Sequence, residues 1–199
     1  MNSILKTYDI INQNTFRAKH FEVRQNGMPI LWINTKSEFF GPPQINIQTQ
    51  SSNGPIVAAA KLKTMSSGCR VIVGNPDATS KEQWNDVASE SFTGKAFGFS
   101  CGGRRFLWKR THQKLLGASS WKSQDFKLVD SSAPDKILAV FIKSSGWTSS
   151  ESGSLRFYAE LGQELELMAM AAILGIEERI RRNNNAGAAG GAAGGGGGA

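Results

Sequence analysis

The sequence predicts a mainly β chain, a closed antiparallel barrel wrapped around one buried, hydrophobic C-terminal helix. Three observations carry that expectation. Short apolar runs, several with period-two alternation, recur up to residue 159 and are separated by Gly, Pro, Asn and Ser turns. One long helical pattern follows at about 161–182, built from strong helix formers such as Gln163, Glu164, Leu165, Met168 and Ala169. Its middle, residues 167–176 (LMAMAAILGI), is apolar on every side. Such a helix must be surrounded by protein or lipid. A membrane span needs about 20 apolar residues, so this shorter run indicates a core helix enclosed by strands. A helix held between two open sheets is the alternative arrangement.

The strands follow in order. Residues 20–24 lead through Asn26-Gly27 into 29–34 (PILWIN), and Asn-Gly between apolar runs is a strong hairpin signal. After the Gly41-Pro42-Pro43 break, 44–49 alternates, with Ile45 and Ile47 on one face and Gln44, Asn46 and Gln48 on the other. Strands are expected at 56–63 and 69–73. At 84–89, Trp84, Asp86 and Ala88 alternate as a strand would, although Ser80 and Gln83 could form a helical capping box. Residues 95–101 and 104–110 flank Gly102-Gly103. Phe97 and Phe99 share one face of the first arm, and Phe106 and Trp108 one face of the second, giving the hairpin a buried side. Strands at 126–130, 136–143 and 154–159 complete a count of ten to twelve, a number that closes into a barrel or splits into a sandwich. In the helix, Glu164 and Glu166 precede the apolar run and Arg179, Arg181 and Arg182 follow it, complementing the macrodipole at both ends.

The chain has 199 residues, of which 183–199 are only Asn, Ala and Gly. That stretch reads as a flexible, disordered tail, leaving residues 1–182 as a single domain. The first residues have no secretory apolar core, and Met1-Asn2 excludes the myristoylation signature. Cys69 and Cys101 form no Cys-x-x-Cys and read as reduced, small hydrophobes. The expected location is the cytoplasm, with a peripheral membrane or nuclear residence as alternatives.

The order of elements resembles the tubby C-terminal-like superfamily, which includes tubby proteins, phospholipid scramblases and the plant LURP-one-related proteins. Within it the chain is most similar to small fungal members. The resemblance rests on PILWIN (29–34), FFGPPQI (39–45), FGFSCGGRRFLWKRTH (97–112), FKLVD (126–130), LAVF (138–141), GSLRFY (153–158) and the helix LGQELELMAMAAILGIEERIRR (161–182). It implies a roughly twelve-stranded barrel closed around the helix. It further implies a non-enzymatic domain that docks on anionic phospholipid or phosphoinositide headgroups, as tubby domains do through basic residues on the barrel. Scramblase activity is not expected, because no acidic calcium-binding loop is present.

Charge is uneven. Residues 95–127 hold eight basic residues and one acid, Asp125, which accounts for the whole net charge of +7. Such a cluster attracts phosphate. Strand alternation with Phe106 and Trp108 inward turns Arg105 and Lys109 to solvent, and these two are the leading anion-binding candidates. Arg104 and Arg110 should lie on the inward side at the strand ends. Lys95 and Lys114 complete the candidate set. A solvated basic face, or a protein-interaction module meeting an acidic partner, is the alternative. RNA binding is less expected: residues 95–102 (KAFGFSCG) echo an RNA-recognition octamer but depart from it at Ala96, Ser100 and Gly102, and the chain has no βαββαβ order. His20 and His112 lie in no metal or nucleophile motif, and Gly-x-Ser-x-Gly, Walker A and His-Glu-x-x-His are absent. No enzyme activity, cofactor or metal is therefore expected.

Overall fold

The computed structural model describes residues 3–13, 20–36, 41–64, 66–78, 83–91, 94–118, 124–143 and 151–192. Lys122, Ser80 of the possible capping box, Phe39 and Phe40, most of the Ser/Gly loop after residue 143, and residues 193–199 lie outside them. Twelve strands run in chain order: β1 (Lys6–Asn12), β2 (His20–Gln25), β3 (Met28–Lys36), β4 (Gln44–Gln48), β5 (Ile56–Leu62), β6 (Cys69–Val73), β7 (Asn85–Ser89), β8 (Ala96–Cys101), β9 (Arg104–Arg110), β10 (Phe126–Asp130), β11 (Ala133–Lys143) and β12 (Glu151–Phe157). One helix follows, α1 (Gln163–Ala192). Each strand pairs antiparallel with the next, and β12 returns to pair with β1, Lys6 opposite Phe157. The closed barrel excludes the two-sheet alternative, and closure leaves no strand edge open to another chain.

Side-chain alternation explains why the barrel closes on a helix. Phe97, Phe99, Phe106, Trp108, Phe126, Leu128, Leu155 and Phe157 all point inward and are at most 2% exposed. They face α1, whose Ala169, Ala171, Ala172 and Ile173 are fully buried. The Trp108 indole N–H donates to the Ala169 carbonyl at 3.2 Å, so its polar atom is satisfied inside the core. Where α1 approaches β5 and β6 the side chains shrink. Ala58 and Ala60 are fully buried, and a Cβ added at Gly175 would stand 2.6 Å from Cys69 Sγ. Glycine is required there by this close approach.

Several boundaries differ from the sequence expectation, including β12, which begins at Glu151, inside the expected loop, and ends at Phe157 rather than at residue 159. β1 was not expected. It alternates Tyr8 and Ile10 inward with Asp9 outward, too few apolar positions to stand out. β11 starts at Ala133 and contains Pro134. The register jumps there from Val129↔Ile137 to Asp130↔Ala133, so Pro134 sits in a bulge where no ladder N–H is needed. The strand expected over 84–89 forms as β7, Asn85–Ser89. The helix runs on past Arg182 to Ala192, with residues 183–186 exposed, where a coil was expected. The buried segment is already a nucleus, so extension adds one hydrogen bond per residue without the cost of nucleation. No helix among the described residues is long and apolar enough to cross a membrane.

Candidate functional site

The basic segment forms the outer face and both ends of β8, β9 and β10. The inward set Phe106 and Trp108 dictates the outward set Arg105, Leu107 and Lys109. Register then decides what each outward cation meets. On β10, Lys127 lies between the fully buried Phe126 and Leu128 and therefore faces out. It stands directly opposite Lys109. Directly opposed residues on one face place their Cβ atoms about 4.5–5.5 Å apart, and like charges so placed repel. On its other side Lys109 faces only Ala96 of β8. Neither lysine forms an ion pair among the described residues. Lys127 belongs to the basic segment, but its pairing with Lys109 could be read only from the register.

The arginines are differently placed. Arg105 donates through Nη2 to Glu90 Oε1. That pair lies across Gly98, where an added Cβ would come within 2.6 Å of the Glu90 carboxylate and 3.0 Å of the guanidinium. Arg104 is at the opposite end of β9 from Arg110, as strand alternation predicted. Its Nε donates to Asp130 Oδ2 at 3.0 Å, and its guanidinium carbon lies 5.2 Å from the centre of the Phe106 ring. Asp130 also accepts the Ser132 hydroxyl at 2.7 Å and the Ser132 backbone N–H at 2.9 Å. These two bonds and then Arg104 hold its carboxyl down at about 2. Both arginine charges are thus answered by acids, Glu90 and Asp130, lying just outside the 95–127 window. A window drawn slightly wider would have included them.

Arg110 closes the other end of β9. It is half-buried, and its Nε has no hydrogen-bond partner among the described residues. Its charge acts on Glu177 of α1, which is 3% exposed. Lys143 Nζ lies 2.7 Å from Glu177 Oε2 and forms an ion pair with it inside the barrel end. Burial pushes the Glu177 carboxyl up, against the opposing pull of Lys143 and Arg110. Asp125 nearby is fully buried and accepts the Lys143 backbone N–H at 2.8 Å. Lys95 is exposed at this same end, its carbonyl accepting the Arg110 N–H at 2.8 Å. Lys114 is exposed on a single 3-10 turn, Lys114–Leu116, that follows β9.

The six candidates therefore do not converge. Lys109 and Lys127 stand together, half-buried, on the outer face, Arg104 and Arg105 are committed to acids, Arg110 and Lys95 share the far barrel end, and Lys114 leads a turn beyond it. Among the described residues no group of three or more His, Cys, Asp or Glu is arranged to hold a metal. Burial pushes the Cys69 thiol up to about 12, which suppresses the thiolate needed for nucleophilic chemistry. His20 Nδ1 is hydrogen-bonded to Asn34 on the outer surface. No protein-family model matches the chain, and no curated protein matches it significantly.

Proposed function

We propose that this chain is a non-enzymatic member of the tubby-like superfamily that docks peripherally on anionic phospholipid or phosphoinositide headgroups. The observation that carries the reading is the Lys109–Lys127 juxtaposition on the outer face of β9 and β10. Two adjacent ammonium groups without an acid repel each other, and a phosphate bridging them relieves the repulsion. Each Lys or Arg near an anionic surface contributes about 1 kcal/mol. The architecture supports the superfamily reading, since twelve strands closed around a C-terminal helix is what the resemblance implies.

Sedimentation with phosphatidylcholine vesicles, with and without phosphatidylserine or phosphoinositide, tests it at low and physiological salt. Wild type should bind the anionic vesicles at physiological salt. The double variant Lys109→Glu/Lys127→Glu should lose that binding, whereas Arg105→Glu should lose less, because Arg105 is already neutralised by Glu90. Binding confined to low salt rejects the lipid reading and favours an acidic protein partner.

A further inference from the structure

The turn at Lys114–Leu116 is anchored on the barrel by the buried Leu116 and Ala118, and it turns its middle residue outward. It is held firmly: Leu116 N–H donates to Gln113 O and Gly117 N–H to Lys114 O, each at 2.9 Å. Gly117 takes a left-handed φ of +86°. The left-handed φ favours glycine, and the Arg156 guanidinium lies against this position, 2.9 Å from where a Cβ would stand. The product of this construction is Leu115, which is 82% exposed, the most exposed large apolar side chain among the described residues.

Leu115 is not isolated. With Leu116, Ile4, Ile137 and Tyr158 it lines a surface groove of about 360 Å³, and Ile4 and its neighbour Leu5 are themselves 47% and 55% exposed. Register places the groove on the same side of the barrel as the lysine pair: Ile137 stands opposite Val129, two residues along β10 from Lys127, with the fully buried Val129 between them. Lys136 lines the groove with Asp135, Lys114 is in the turn itself, and Arg156 lies against Gly117. An apolar tip ringed by cations fits the boundary between phosphate headgroups and acyl chains. It fits a second copy of this chain poorly, since a stable protein interface buries about 1,200 Å² or more and this patch has only a few apolar side chains.

Resting on the docking reading above, we infer that Leu115 is a wedge that enters the acyl region of an anionic leaflet. Lys114, Lys136 and the Lys109–Lys127 pair contact the headgroups around it. The wedge supplies what charge alone does not, namely retention on the membrane at physiological salt.

Two variants test it on phosphatidylcholine vesicles carrying phosphatidylserine. Leu115→Ser is neutral and lies on an exposed turn, so it reads apolar insertion without altering charge or folding. It should weaken vesicle binding about tenfold or more, the fold-change that burying a leucine side chain implies. Leu115→Cys in a Cys101→Ser background can carry an environment-sensitive dye, because the buried, fully protonated Cys69 does not compete for the label. Its emission should shift to the blue with vesicles. If Leu115→Ser binds like wild type and the dye does not shift, while Lys109→Glu/Lys127→Glu abolishes binding, the wedge is overturned and docking stands. If wild type binds no anionic vesicle at physiological salt, both are overturned.

Discussion

The two ends of the central helix carry the same pair of residue types in opposite physical states. Near its start, Glu166 accepts Lys6 Nζ at 2.9 and 2.8 Å and the Tyr8 hydroxyl at 3.1 Å, with Lys6 partly open to water. Near the end of its buried part, Glu177 is 3% exposed and meets Lys143 at 2.7 Å, with the charges of Arg110 and Asp125 acting on the same carboxylate. The Glu166 bond raises the Lys6 ammonium above its ordinary 10.5, the signature of a satisfied pair. Burial raises the Glu177 carboxyl above its ordinary 4.5, the signature of a charge held where its own desolvation opposes it. Pairing is therefore no measure of stabilisation. The cost of taking the charges out of water decides it.

Breaking each pair from the lysine side should expose the difference. Lys143→Met removes the ammonium that pairs with the buried Glu177, and should destabilise the barrel by about 3–5 kcal/mol in denaturant unfolding. Lys6→Met removes a partly exposed lysine and leaves Glu166 its Tyr8 hydroxyl bond, and should cost less, about 1–2 kcal/mol. Equal losses at the two ends would refute the contrast.

A smaller effect separates the ends by pH. A native carboxyl raised above its unfolded value binds a proton first in the native state, so its contribution favours folding less as pH rises from 4.5 through the raised native value. Thermal melts of wild type and Glu177→Gln should therefore shift in favour of the variant as pH increases across that range. Lys6 behaves in the alkaline range. Its stabilisation is complete below 10.5 and is lost as pH rises through its raised native value. A wild-type-to-Glu177→Gln difference that is flat in pH would show that Glu177 is not desolvated in the native state.

Much of this molecule was legible in one dimension because its physics is local. Phe97 and Phe99 against Phe106 and Trp108 announced an inward face by period two, and all four are at most 2% exposed. The apolar-all-round run at 167–176 required enclosure, and strands enclose it. β1 was missed because Tyr8 and Ile10 alone make too short a pattern, and the bulge at Pro134 because a proline in a strand is tolerated only where the register skips.

Charge is where one dimension fails. The sequence by itself determined that residues 95–127 hold the net positive charge, that Arg105 and Lys109 face outward, and that Arg104 and Arg110 fall at opposite strand ends. Only the tertiary structure decided that Glu90 takes Arg105, that Asp130 takes Arg104, and that Lys127 stands against Lys109. The physical reason is that facing and period are properties of a single strand, whereas an ion pair forms between strands. Its partner is chosen by register, which closure of the barrel sets.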